Sequence, residues 1–146
     1  VAERDVVDAS ILIQRFIADA HTVNVRNLFS KSVQQETNLF VPEFCLIECT
    51  NVLWKRVRFF NVPQSQAIQL VDSLLSLPRQ VTVSNNLLSQ ALEIGLAHRL
   101  AVYDSLYIAL ALSLKCPLIT VDDRQLQVAI SAGAPTKSIT DSASTE

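Results

Sequence analysis

A chain of 146 residues is the length of one ordinary domain. With 49% hydrophobic and 18% charged residues it can bury a sizeable core, which excludes a disordered chain, and its two glycines and five prolines argue against a turn-rich β-sandwich or low-complexity material. The balance of 12 basic to 14 acidic residues, net −2, excludes nucleic-acid binding by bulk charge alone, but not a nuclease whose acids hold cations.

No apolar stretch reaches the roughly 18–20 residues of a membrane span. The longest, over 106–114, is bounded by Asp104 and Lys115. The first residues show no basic region followed by a long apolar run, so no secretion signal is expected and a cytoplasmic location is. With no methionine, the chain is expected to be a trimmed or processed form. Cys45, Cys49 and Cys116 are odd in number and lie among apolar residues, so they read as reduced core thiols.

In chain order, residues 5–8 predict a short buried strand. Ser10 opens a helical pattern with Leu12, Ile13, Phe16 and Ile17 on one face. A second helix over 21–35 has Val25, Leu28, Phe29 and Val33 in register, and 38–41 is the next strand. Pro42 suits the first turn of a helix running to about Phe60, with Phe44, Ile47, Val52 and Leu53 among its apolar positions. An amphipathic helix over 64–77 is expected to bury Ile68, Val71, Leu74 and Leu75. A strand over 80–83, a helix over 87–98 and a mostly apolar helix over 104–115 follow. A strand over 118–121, a helix over 124–132 stopped by Gly133 and a short strand over 136–139 complete a single domain over 1–139. The Ser/Thr-rich segment 140–146 is expected to be a flexible tail. Short apolar strands alternating with helices indicate an α/β domain on a mainly parallel sheet.

At four places carboxylates stand against apolar runs: Asp8 after Val6-Val7, Glu48 after Leu46-Ile47, Asp104 after Ala101-Val102-Tyr103, and Asp122-Asp123 after Leu118-Ile119-Thr120-Val121. An ionised carboxylate buried alone costs several kcal/mol unless it is paired, hydrogen-bonded or metal-bound. Arg4, Arg99 and Arg124 are the only cations close in sequence. Asp8 and Asp122 fall at carboxyl ends of predicted strands, where open parallel sheets bind ligands. Asp104 falls at a helix start, and Glu48 about two turns into its helix. Taken alone, Asp8 and Asp104 also read as helix caps, Asp122 and Asp123 as a turn, and Glu48 as a half-exposed helix residue. Together, as carboxylates alone, they are a hard oxygen donor set suited to Mg²⁺ or Mn²⁺.

These residues resemble the PIN-domain nucleases, in particular the VapC-type toxins of toxin–antitoxin pairs. Val7-Asp8-Ala9-Ser10 resembles the family's apolar-Asp-x-Ser opening, and Glu48, within the segment 42–53, resembles its helix glutamate. Tyr103-Asp104-Ser105-Leu106-Tyr107-Ile108-Ala109 is similar to its most distinctive signature, with Ser105 where Ala is common. Leu118-Ile119-Thr120-Val121-Asp122-Asp123 resembles the closing Thr-x-Asp segment; the register of Thr120 favours Asp122 over Asp123. The four motifs span essentially the whole chain in order.

The resemblance implies a three-layer α/β/α fold with about five strands and helices on both faces. It implies an endoribonuclease that hydrolyses RNA phosphodiester bonds, with Asp8, Glu48, Asp104 and Asp122 holding Mg²⁺ or Mn²⁺ and Ser10, Thr120 and Asp123 in support. It also implies a homodimer and an antitoxin protein partner. Phe59, Phe60, Val62, Leu74 and Leu77 are candidates for the dimer seam. Trp54, Lys55, Arg56, Arg58 and Phe59 form a basic–aromatic cluster that reads either as a phosphate track or as a solvated helix end. The competing readings are a PIN fold that binds RNA or a partner without cleaving, and an Asp-based phosphoacceptor or phosphatase domain. The last is disfavoured because Ala9-Ser10, not a second acid, follows Asp8.

Overall fold

Val6 and Val7 expose no surface, because the strand that carries them, β1 (Glu3–Val7), runs between β2 (Thr37–Pro42) and β4 (Leu118–Ile119). The computed structural model describes residues 2–17 and 21–142. Beyond β2 lies β3 (Gln80–Thr82), giving the order β3-β2-β1-β4 with every pairing parallel. Parallel neighbours need crossovers, and helices supply them. α1 (Ala9–Gln14) and α2 (Thr22–Val33) lead from β1 to β2. α3 (Cys45–Phe60) and α4 (Gln64–Leu75) lead to β3, and α5 (Leu88–His98) and α6 (Val102–Leu114) to β4. α7 (Asp123–Ser131) follows, and the helices cover both faces.

The strand expected at 136–139 is reduced to one parallel bridge from Thr136 to Leu118, so the sheet has four strands among the described residues. Ile139–Ser142 instead form a 3₁₀ turn that packs on α2, with Ile139 buried. Residues 143–146 of the expected tail lie outside the described residues. Pro42 is the last residue of β2, not a helix opener; at a strand end its missing N–H removes no needed ladder bond. Glu48 therefore sits in the first turn of α3 rather than two turns in. The strand expected over 118–121 stops at Ile119, which frees Thr120 and Val121 for the sheet edge.

α6 is the central helix. Every residue from Ser105 to Ala111 is buried, as its apolar sequence on nearly all faces requires, and it packs on β1, β2 and α5. Its start is set by Gly95 on α5: a Cβ there would stand 2.6 Å from the Leu100 carbonyl oxygen, so only glycine admits this corner. α4 packs chiefly on α3, so a narrow stripe suffices. It buries Ala67 and Leu74, half-buries Val71 and leaves Ile68 and Leu75 exposed, unlike the expected face. Ile47 is also exposed. Of the expected seam residues, Leu74 belongs to the core and Leu77 packs against it, whereas Phe59 and Phe60 are exposed. No helix among the described residues is long and apolar enough to cross a membrane. All three cysteines are free and buried.

Ion pairs among the described residues join Lys137 to Glu3 at 3.1 Å and to Asp5 at 3.6 Å. Asp5 is 1% exposed and accepts the Thr37 hydroxyl at 3.1 Å. Burial pushes its carboxyl above the usual range, and the Lys137 ammonium pulls it back. The pair fastens the segment after α7 to the central strand. Lys137→Met is expected to cost roughly 1–3 kcal/mol, less than a fully buried pair because the lysine is partly solvated. Asp5→Asn in that background should recover part of the loss. Denaturant unfolding of both single variants and the double variant checks this; strictly additive losses would contradict the pairing.

Candidate active site

The carboxyl edge of the sheet gathers the four acids. Asp8 directly follows β1 and is 6% exposed, since its strand is flanked on both sides. It stands at the N-terminus of α1, where the amide of Ile11, the third residue of that helix, bonds its carbonyl (3.1 Å), and its carboxylate makes no side-chain cap bond. Instead its Oδ1 accepts the Ser10 hydroxyl at 2.6 Å and its Oδ2 the Thr120 hydroxyl at 2.9 Å. Ser10 also accepts the Val121 amide (3.4 Å), and Thr120 accepts the Asp122 amide (3.0 Å). Two hydroxyls thus tie the ends of β1 and β4 to one carboxylate.

Glu48 comes from the first turn of α3 and accepts the Tyr107 hydroxyl at 2.6 Å through Oε2. Asp104 lies half-buried in the first turn of α6 and also makes no cap bond. Asp122 does cap a helix: its Oδ1 accepts the Gln125 amide (2.9 Å) at the start of α7. Gln125 is fully buried and its Nε2 donates to the Asp104 carbonyl at 3.0 Å, so one side chain fastens α7 to α6. Asp123 is exposed on the outer turn of α7.

The charges that act on these acids are one another. Burial pushes Asp8 up to about 7, against the Ser10 and Thr120 hydroxyls, and Glu48 adds to the rise. Burial and then Asp104 raise Glu48, which the Tyr107 hydroxyl lowers; burial and then Asp122 raise Asp104. The cations near in sequence point elsewhere. Arg4 lies over the Phe40 ring, and Arg124 bonds the His98 carbonyl. Oxygen donors with uncompensated negative charge have the chemistry of a hard divalent cation site. Among the described residues, no three His, Cys, Asp or Glu groups already stand together at ligating distance. The donor set fits such an ion in kind.

Sequence patterns indicate the four acids and the two hydroxyls, and the structure brings Asp8, Ser10, Thr120 and Asp122 into one network. They do not indicate the roles of Tyr107 or Gln125. Tyr107 lies inside the α6 signature but reads there as core, and a buried glutamine four residues into an amphipathic segment carries no spacing signal.

The PIN domain family matches residues 6–131, and the chain belongs to that family. It is similar to Ribonuclease VapC3 of Pyrobaculum aerophilum, 28% identical over 123 residues that cover 83% of this chain and 90% of that one. Among solved structures it resembles PAE2754 of Pyrobaculum aerophilum, with TM-score 0.72 at 20% identity over 97% of this chain and 93% of that one. It also resembles Mycobacterium tuberculosis VapC20, a sarcin-ricin loop cleaving toxin, with TM-score 0.65 at 17% identity over 89% and 95%. The two structural likenesses bear on the fold.

Asp8 gives the metal-free protein a pH signature. Its carboxyl rises from an ordinary 3.8 to about 7, so the folded state holds a proton that the unfolded chain lacks between those values. Stability contributed by that proton is present at low pH and is lost as pH rises through about 7. Asp8→Asn is expected to gain on the wild type across that window and then hold a constant difference, with an upper bound of about 4 kcal/mol. Thermal unfolding in chelator from pH 4 to 8 checks it. Parallel curves would show that Asp8 does not titrate there.

Proposed function

We propose that this chain is a divalent-metal-dependent endoribonuclease, the toxin of a toxin–antitoxin pair. The observation that carries this reading is the four acids at one sheet edge, three of them, Asp8, Glu48 and Asp104, raised by burial and by a neighbouring acid, with no ion pair to any of the four among the described residues. Membership of the PIN family and the likeness to a VapC ribonuclease support the substrate class.

Asp8, Glu48, Asp104 and Asp122 are the residues that would hold Mg²⁺ or Mn²⁺. When bound, such an ion neutralises phosphate charge and lowers the pKa of a water. The chain's own residues do the rest. Ser10 and Thr120 fix the Asp8 carboxylate between them, and Gln125 fixes the start of α7 relative to Asp104. No protein nucleophile is assigned, consistent with a sequence that offers no Ser–His or Cys–His constellation. A net charge of −2 leaves RNA affinity to the cation-loaded site rather than to the general surface. The antitoxin is a protein partner, and the chain acts as a cytoplasmic homodimer, with the exposed Phe59 and Phe60 at the end of α3 available to the seam.

Cleavage of RNA by the pure protein is expected to need Mg²⁺ or Mn²⁺ and to stop in chelator; undiminished cleavage in excess chelator would sink the mechanism. Asp104→Asn is expected to lose activity by orders of magnitude. In the same variant, the thermal stabilisation by Mg²⁺, about 2.7 kcal/mol at 100 times the dissociation constant for wild type, should shrink. Equal metal-induced shifts in both proteins would remove Asp104 from the site. Light scattering at tens of micromolar should give a dimer, and a monomer would refute the seam.

A further inference from the structure

Tyr107 is 1% exposed, and its ring is locked. Phe44 of α3 packs on it with centroids 5.2 Å apart and planes at 56°, and Phe44 in turn packs on Tyr103 at 5.6 Å. A buried tyrosine hydroxyl requires a partner. Here it donates to Glu48 Oε2 at 2.6 Å, the short length of a charge-assisted bond. Phe44 and Glu48 are four apart, so α3 grips Tyr107 with one face: the ring with Phe44 and the hydroxyl with Glu48. Asp104 and Tyr107 are three apart on α6 and likewise share a face. Tyr107 therefore ties Glu48 of α3 to the helix that carries Asp104.

We propose that Tyr107 is a positioning residue for Glu48, holding one carboxylate oxygen so that the other, Oε1, is presented towards Asp104 for a divalent cation. This rests on the reading of the site as a metal centre. A glutamate side chain free in solution loses rotamer entropy when fixed. A hydroxyl carried on an immobile ring meets that cost on folding rather than on cation binding. Asp8 receives the same service from Ser10 and Thr120. Oε1 of Glu48 carries no hydrogen bond among the described residues, as a ligating oxygen requires.

Tyr107→Phe keeps the ring and its packing and deletes only the donor. Mn²⁺ affinity measured by calorimetry on the whole chain, without RNA, gives a readout independent of activity. Outer hydrogen-bond partners of metal ligands are worth roughly 10–100-fold in affinity, so Tyr107→Phe is expected to weaken Mn²⁺ by about tenfold or more. In a Glu48→Gln background the same change should have no further effect, because the residue acts through Glu48. Wild-type affinity in Tyr107→Phe would overturn the proposal while leaving the metal centre standing. An equal loss in the Glu48→Gln background would overturn it too, by showing that Tyr107 acts through packing. Wild-type protein that binds no Mn²⁺ at all would overturn the metal-centre reading, and this one with it.

Discussion

The burial of the Asp8 carboxylate at the end of the central strand constrains everything around it. Strands on both sides remove water from that position, and among the described residues no ion pair reaches it. Removing an ion from water costs several kcal/mol, and hydroxyl donors, at about 1.5–3 kcal/mol for each bond to a charged group, do not recover all of it. Ser10 and Thr120 are those donors. Thr120 reaches Asp8 because β4 ends at Ile119 and lets the chain turn over the sheet edge. The shortness of β4, which the apolar run 118–121 conceals, is thus a requirement of the site.

The other three acids are accommodated by helix starts. Glu48 and Asp104 lie in the first turns of α3 and α6, and Asp122 caps α7. A helix N-terminus favours an anion by about 0.3–1 kcal/mol when exposed and by up to about 2 when partly buried. Three such ends offset part of the cost of burial and of the repulsion among the acids and leave the rest in place, as the carboxyls of Asp8, Glu48 and Asp104, raised by burial first and by a neighbouring acid second, record. A fold selected for stability alone would not gather four acids here. Groups kept at a cost to stability are the mark of a functional site.

Much of this was legible in the sequence. Short apolar segments gave the strands because a parallel sheet buries both faces, and uninterrupted apolar residues gave α6 as the central helix. Gly133, in the left-handed region at φ 83°, follows α7 as its position predicted. What escaped depends on distance in the chain. Lys137 meets Asp5 across 132 residues and Tyr107 meets Glu48 across 59, and no spacing rule reports such pairs. Pro42 was ambiguous because a proline is tolerated both at a strand end and in a first helical turn. The face of α4 was misread because apolar periodicity reports amphipathicity but not the width of the surface beneath. α4 lies on α3, and Ile68 lines an open groove with Leu53, Trp54 and Val57.

The central claim is that Asp8, Glu48, Asp104 and Asp122 form one cation site. Anomalous diffraction from crystals soaked in Mn²⁺ tests it most directly. The account predicts an anomalous peak at the carboxyl edge of the sheet, with carboxylate oxygens of Asp8 and Asp104 among its ligands at distances of roughly 2.0–2.3 Å. Peaks confined to surface acids such as Asp123 or Glu43, with none among the four, would contradict it.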